Sequence, residues 1–290
     1  MKFFIPGKTF LVGEYSVLLG GAALGLATKP YFELTLNEGA KEAVHPESPA
    51  GRYLSFKNKE LKFSLRDHYF ESGITGGFGK STAEYFAALL PELIDEKTSF
   101  FQFLKTYKDL HSGNRIPPSG IDLAFQFWGN VTLADAKLNF YQSFDWPFED
   151  LDFYIVSTGL KVPTHQHLAQ LDLDTLTELP FASEAVIKAF VENNRDEFLF
   201  RMANWVSILE RHNLTHLNSL HLTKQLQKSE HIQLVKPCGA LGADVLLVLF
   251  DSERADNVKK DIEKLNLNIR ADRDQLATGL SSQLRSLWDE

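Results

Sequence analysis

Gly76-Gly77-Phe78-Gly79-Lys80-Ser81-Thr82 is the stretch that decides the reading of this chain. Glycines let a backbone turn tightly and approach a ligand with no Cβ in the way. From Lys80 to about Leu90, Ala83, Phe86, Ala87 and Leu90 recur at helical spacing, so the glycines run into a helix N-terminus. Such a terminus offers unpaired N–H groups and the positive end of a dipole, a setting suited to phosphate. Lys80 adds a point charge there, and the Ser81 hydroxyl suits a magnesium ion. Two other readings compete. One is a plain turn capped by Ser81 or Thr82. The other is a P-loop, which needs glycine at position 74; Ile74 stands there and Gly73 is one residue too early. The apolar run Val245–Phe250 followed by Asp251 would supply the acidic strand end of that alternative.

The 290 residues suffice for one large domain or two modest ones. With 44% hydrophobic and 23% charged residues, the composition is that of a globular protein. The 23 phenylalanines are read as a packing habit. A net charge of −8 argues against a broad nucleic-acid footprint. Cys238 is the single cysteine, so no intrachain disulfide forms, as in a reducing cytosol. No apolar run reaches the roughly 18 residues of a membrane span, and Pro6-Gly7 interrupts the first residues too early for a signal peptide. The expectation is a cytoplasmic protein with no membrane contact.

Away from the glycine loop, Phe3–Ile5, Phe10–Val12 and Tyr31–Leu36 are predicted as strands, and 37–52 as a loop. Residues 54–70 are predicted as a hairpin around Lys57-Asn58-Lys59. A helix over 98–110 precedes a Pro-containing loop, Gly113 to Gly120, and Leu151–Val156 is a buried strand. Helices are expected near 182–192, 195–212 and 215–228, a strand at Val245–Phe250, and a helix carrying Ala255, Val258, Ile262 and Leu265. Loops thin out after about 165, which places a boundary there, giving parts 1–164 and 165–290.

Three segments occur in an order that resembles the GHMP kinases, the family of galactokinase, homoserine kinase, mevalonate kinase and phosphomevalonate kinase. Pro6-Gly7-Lys8 through Gly13-Glu14-Tyr15 is similar to the family's N-terminal motif. The glycine loop resembles its Gly-Leu-Gly-Ser-Ser-Ala segment. Lys236-Pro237-Cys238-Gly239-Ala240-Leu241-Gly242-Ala243-Asp244 resembles its C-terminal glycine motif. Ser119-Gly120-Ile121-Asp122 is similar to a segment of the mevalonate-pathway members, and Thr158-Gly159 with Lys161 and Thr164 is a weaker fifth match.

The resemblance implies an α+β fold in two parts, an N-terminal phosphate-loop domain and a ferredoxin-like C-terminal domain. It implies an ATP- and Mg2+-dependent kinase acting on a small-molecule substrate, as a monomer or homodimer. Asp122 would be the base and Lys8 its partner, stabilising charge on the moving phosphoryl group. Gly76, Gly77, Gly79, Lys80, Ser81 and Thr82 would hold the nucleotide, with Ser81 also on the metal. Glu14, Tyr15, Ser119, Gly239 and Ala240 would line the substrate end; for Glu14 a purely structural role is the alternative. His111 matches a histidine preceding the Asp122 segment, against a core or capping role. His212 and His216 have metal-ligand spacing on an expected helix but lack the glutamate of the zinc-protease pattern.

The chain departs from the family at Lys80, Thr82, Cys238, Leu241 and Ala243, which stand for Ser, Ala, Ser or Thr, Gly and Gly. These changes leave open an unusual substrate or a non-catalytic binding protein. Between the mevalonate-pathway substrates, phosphomevalonate is preferred over mevalonate. Tyr15 stands where mevalonate kinases have His, and residues 97–121 carry Asp109 but no Glu to ligate a metal. Lys80, Lys29 and Arg115 are the cations available to a phosphorylated substrate.

Overall fold

A computed structural model describes residues 1–36, 44–71, 78–95, 98–160 and 171–288. The first strand, β1 (Lys2–Val12), is one continuous element where the sequence suggested two. It pairs antiparallel with β2 (Ala23–Leu36), and the register shifts between Pro6 and Gly7. That bulge accommodates a proline that cannot donate to a regular ladder. Gly7 is required on steric grounds, because the Tyr69 hydroxyl occupies the place of a Cβ. Tyr69 donates to the Thr28 carbonyl at 2.9 Å and stacks on Phe78 with centroids 4.5 Å apart.

β2 continues to β4 (Val131–Asp135) and β5 (Phe140–Phe144), while its far end pairs with β3 (Phe63–Asp67). The hairpin expected over 54–70 does not form. Ser48 caps a helix instead, α1 (Pro49–Lys57), accepting from the Gly51 N–H at 3.1 Å, with Pro49 in the first turn and Asn58 closing it at φ +50°. A short turn of helix, α2 (His68–Glu71), follows β3. Then come α3 (Lys80–Asp95), α4 (Phe100–Asp109) and α5 (Ile121–Trp128). The capping box of Ser99 and Gln102 starts α4 where the sequence places it.

The second sheet is β7-β8-β6-β9, with β6 (Leu151–Ser157), β7 (Leu234–Cys238), β8 (Val245–Asp251) and β9 (Asn268–Asp272), all antiparallel. Helices α6 (Leu179–Val191), α7 (Arg195–Arg211) and α8 (Leu217–Leu226) connect β6 to β7, and α9 (Ala255–Lys264) connects β8 to β9. This β-α-β-β-α-β succession is ferredoxin-like. Its first strand begins at Leu151, and β6 joins the second sheet through pairing with β8, a long-range event. The last helix, α10 (Leu280–Trp288), returns to the first part and packs on α5.

One apolar core takes residues from both sheets. The phenylalanines build it by edge-to-face contacts. Phe86, Phe100, Phe103 and Phe127 form one cluster, and Trp146, Phe148, Phe190 and Phe198 another. The outer face of the second sheet has its own small core of Val248, Phe250, Val258 and Ile262 with neighbours. Among the described residues, no helix is long and apolar enough to cross a membrane.

Candidate active site

The Lys8 backbone N–H donates to the Phe78 carbonyl at 3.0 Å, fastening β1 to the end of the glycine loop. The Lys8 ammonium lies 3.0 Å from Asp122 Oδ2 and 5.3 Å from the Phe10 ring centroid. Its side chain is 13% exposed and that of Asp122 36%, so the carboxylate keeps an open side while the cation is largely enclosed. Asp122 sits in the first turn of α5, after Gly120 at φ +74°, where the Leu104 side chain leaves no room for a Cβ. The Ser119 hydroxyl accepts from the Ile121 N–H at 3.3 Å and so helps shape the turn. Burial, with the nearby Asp122 charge as a second cause, pushes the Tyr107 hydroxyl above its ordinary value. His111 is buried, its Nδ1 2.7 Å from the Tyr107 carbonyl oxygen, an anchoring place next to the site.

Gly79 leaves the glycine loop at φ +88°. A Cβ there would lie 3.0 Å from Lys8 Cγ, 3.0 Å from Gln126 Nε2 and 3.1 Å from Thr82 Oγ1. The loop exit is therefore packed against the stem of Lys8, and α3 starts at the next residue. Lys80 pairs with Asp67 Oδ2 at 3.2 Å. Ser81 is exposed at the helix start. Thr82 is buried, and its single hydroxyl proton is shared between the Gly79 carbonyl, at 2.8 Å, and Gln126 Oε1. That hydroxyl is committed inside the protein, so Thr82 shapes the loop where nucleotide contact was expected of it. Gly76 and Gly77 lie outside the described residues.

The third motif is held from several sides. Lys236 is fully buried, and its ammonium reaches Glu14 Oε1 at 2.6 Å, the Phe10 carbonyl at 3.3 Å and Cys238 Sγ at 3.4 Å. Burial disfavours the Lys236 charge, but the Glu14 carboxylate at 2.6 Å outweighs it and holds the ammonium above its ordinary value. Burial likewise pushes the Cys238 thiol up. Glu14, 8% exposed, is thus turned to Lys236, a place that fits the structural alternative for this residue. The Leu241 N–H donates to the Tyr15 hydroxyl at 3.1 Å, and the Leu241 carbonyl accepts from the His216 N–H at 2.6 Å. Leu241 itself adopts φ +52°, the left-handed region its glycine counterpart would enter freely. Gly239 stands at φ +94°, with the Asp244 carboxylate where a Cβ would go, and Ala240 opens the short turn Ala240–Gly242. Thr158 donates to the Ala243 and Asp244 carbonyls, so the fifth sequence match buttresses the third; Lys161 and Thr164 lie outside the described residues.

Some expectations place elsewhere. Lys29 lines a groove with His68 and Arg270. His212 and His216 are not on one helix: His212 closes α7 with Nε2 2.7 Å from Glu178, and His216 caps α8. No group of metal-ligating side chains gathers among the described residues. Sequence reasoning missed Gln126, Asp67 and Tyr69. Of these, Gln126 had a visible signal, a lone amide in the apolar run Ile121–Trp128.

No family model matches the sequence, and no curated protein sequence matches it. Solved structures do. Phosphomevalonate kinase of Streptococcus pneumoniae, in complex with phosphomevalonate and AMPPNP, is 16% identical, with a TM-score of 0.73 over 94% of this chain and 99% of that one. Galactokinase of Lactococcus lactis, complexed with galactose, is 13% identical, with a TM-score of 0.70 over 96% and 94%. Mevalonate kinase of Methanococcus jannaschii is 15% identical, with a TM-score of 0.65 over 96% and 98%. The chain has the GHMP kinase fold over nearly its whole length.

Proposed function

We propose that this chain is an ATP- and magnesium-dependent small-molecule kinase whose substrate is phosphomevalonate. The observation that carries the proposal is the Lys8–Asp122 pair, 3.0 Å apart and packed against the exit of the glycine loop. The residues fit a nucleotide. Gly79 takes φ +88°, which favours glycine, and a Cβ there would press on Lys8, Gln126 and Thr82. The 16-residue helix α3 starts directly behind it, with its N–H groups available to phosphate. Lys80, Ser81 and the loop's N–H groups would hold the phosphates, and Ser81 would be the magnesium contact. The bound nucleotide supplies the phosphoryl group and its leaving diphosphate.

The rest of the chemistry belongs to the chain. In phosphoryl transfer a protein mainly positions groups and neutralises charge. The enclosed Lys8 ammonium stabilises negative charge on the transferring group. Asp122 takes the proton of an attacking hydroxyl or, with a phosphate as nucleophile, orients the attacking oxygen. Ser119 and the third motif complete the substrate end, with Glu14 and Tyr15 holding that motif from below. The division into two parts belongs to the same proposal, with the second part opening at β6, as do a cytoplasmic setting and a monomeric or homodimeric state.

Fold likeness does not choose the substrate, since galactokinase scores close to phosphomevalonate kinase. The preference over mevalonate rests on Tyr15 and on the lack of Glu in 97–121. A non-catalytic binding protein is favoured by one observation: both backbone groups of Leu241 are taken by the protein itself. The test is ATP consumption with magnesium against mevalonate, phosphomevalonate, homoserine and simple sugars. Turnover on phosphomevalonate is expected, and Asp122→Asn should lower it on the order of 100-fold with nucleotide binding retained. A strong rate on mevalonate alone would reverse the substrate order. ATP binding with no turnover on any of them would favour the binding protein.

A further inference from the structure

A glutamine with no solvent exposure occupies the junction of three motifs. Gln126 lies one turn beyond Asp122 on α5 and is 0% exposed. Its Nε2 donates to the Pro6 carbonyl at 2.9 Å, two residues before Lys8, and to the Gly79 carbonyl at 3.2 Å. Its Oε1 accepts from the Thr82 hydroxyl. One side chain therefore ties the strand of Lys8, the exit of the glycine loop and the first turn of α3 to the helix that carries Asp122. The surrounding helix, Ile121–Trp128, is otherwise almost wholly apolar on its buried positions. A buried amide in such a setting costs free energy unless it is fully bonded, and here both ends are.

We propose that Gln126, with Thr82, is the positioning residue that holds Lys8, Asp122 and the glycine-loop exit in one rigid frame. The inference rests on the kinase reading above. A side chain that bonds across three segments resists their relative displacement, and a shift of about 1 Å at a transfer site can cost on the order of 100-fold in rate. Thr82 stands where the family has alanine, so the hydroxyl that engages Gln126 is one of this chain's own departures.

The test compares Gln126→Met, Thr82→Val, the double variant and Val258→Ala. Val258 belongs to the separate core on the outer face of the second sheet, and its variant controls for lost stability alone. Two readouts are taken: steady-state kinetics on the best substrate of the panel, and hydrogen exchange of the amides of 78–84. Gln126→Met should lower kcat roughly 10- to 100-fold with KM for ATP within about threefold. Exchange over 78–84 should rise about tenfold or more, with 245–251 unchanged. Thr82→Val should fall between, and the double variant should be no worse than Gln126→Met, because both remove one network. Val258→Ala should lower stability but leave kcat. Unchanged exchange at 78–84 in a folded Gln126→Met would overturn the proposal, as would a kcat loss no larger than that of Val258→Ala. If the natural chain transfers phosphate to nothing in the panel, the kinase reading fails, and the exchange data alone decide whether the frame exists. Should Gln126→Met not fold, Thr82→Val carries both readouts, and wild-type behaviour in it refutes the frame.

Discussion

Replacing Glu14 by glutamine separates two roles for that residue. The carboxylate is 8% exposed and lies 2.6 Å from the ammonium of Lys236, which is 0% exposed. The variant keeps shape and hydrogen-bonding capacity but leaves a buried cation without its counterion, beside a neutral thiol and the Phe10 carbonyl. Breaking one side of a buried pair costs about 3–5 kcal/mol. In a chain of this size each kcal/mol moves the unfolding midpoint by about 2 °C, so Tm should drop by roughly 6–10 °C. Removing both charges with Glu14→Leu and Lys236→Met together should cost less than either alone, since no bare charge is left behind. Urea denaturation at pH 7 measures this, read as a change in midpoint at constant slope. A residue that anchors substrate would act differently: KM would rise and stability would hold. Glu14→Gln within about 1 kcal/mol of the natural chain, with a raised KM, would refute the assignment of Glu14 to Lys236.

Two further outcomes follow from the geometry, beside those given for Asp122 and Gln126. Glu92 is buried, which pushes its carboxyl up, but Lys59 at 2.7 Å and Lys57 at 3.3 Å outweigh burial and hold it below its ordinary 4.5. A lowered carboxylate stabilises the fold at neutral pH and loses that contribution as pH falls below about 4.5 through the folded value, so Glu92→Gln should cost about 1–2 kcal/mol at pH 7 and nothing in acid. Thermal melts from pH 7 to pH 3 check this, and a parallel offset at all pH values would contradict it. Leu241→Gly relieves left-handed strain of about 1–2 kcal/mol but loosens the unfolded chain by nearly as much, so stability should change by less than about 1 kcal/mol. Leu241→Val, β-branched at the same φ, should destabilise by more than about 1 kcal/mol in urea titration.

Local rules carried much of this fold. Helices such as Phe100–Asp109 and Ala255–Lys264 showed themselves by apolar spacing. The apolar run Val245–Phe250 became the strand it suggested, with Asp251 at its end. What failed was decided at a distance. The bulge that keeps β1 whole depends on Lys29 and Pro30 in the partner strand. β4, largely buried, and β5, largely exposed, take their identity from pairing with β2 and each other. The Lys57-Asn58-Lys59 turn was read as a hairpin, but Asn58 serves as a helix end because Ser48 and Pro49 had already begun a helix upstream. At the site, the motifs pointed to Lys8 and Asp122, which the fold brings to 3.0 Å. They could not reveal which polar groups face inward. Thr82 and Glu14 look like ligand contacts in sequence and are spent on Gln126 and Lys236 in space.

The departures from the family pattern acquire a common physical reading. Thr82, larger than alanine, brings a hydroxyl that Gln126 accepts. Cys238, a weaker donor than serine, lies against Lys236, whose ammonium is satisfied by Glu14 and a carbonyl. Leu241, strained where glycine would be free, is gripped by Tyr15 on its N–H and by His216 on its carbonyl. Ala243, for a further glycine, is buried with its carbonyl bonded to Thr158. Decay after loss of function would scatter unpartnered polar groups and loosened loops through the site, since nothing would select the compensating partner. Here each altered residue meets a bonded neighbour, and the changes fall on residues that hold the loops. The Lys8–Asp122 pair and Gly79, on which the proposed transfer chemistry rests, stand in place. Under the kinase proposal, a site rebuilt around an intact Lys8–Asp122 pair argues for altered substrate fit ahead of lost catalysis, and for looking to the third motif, around Leu241, for what sets that fit.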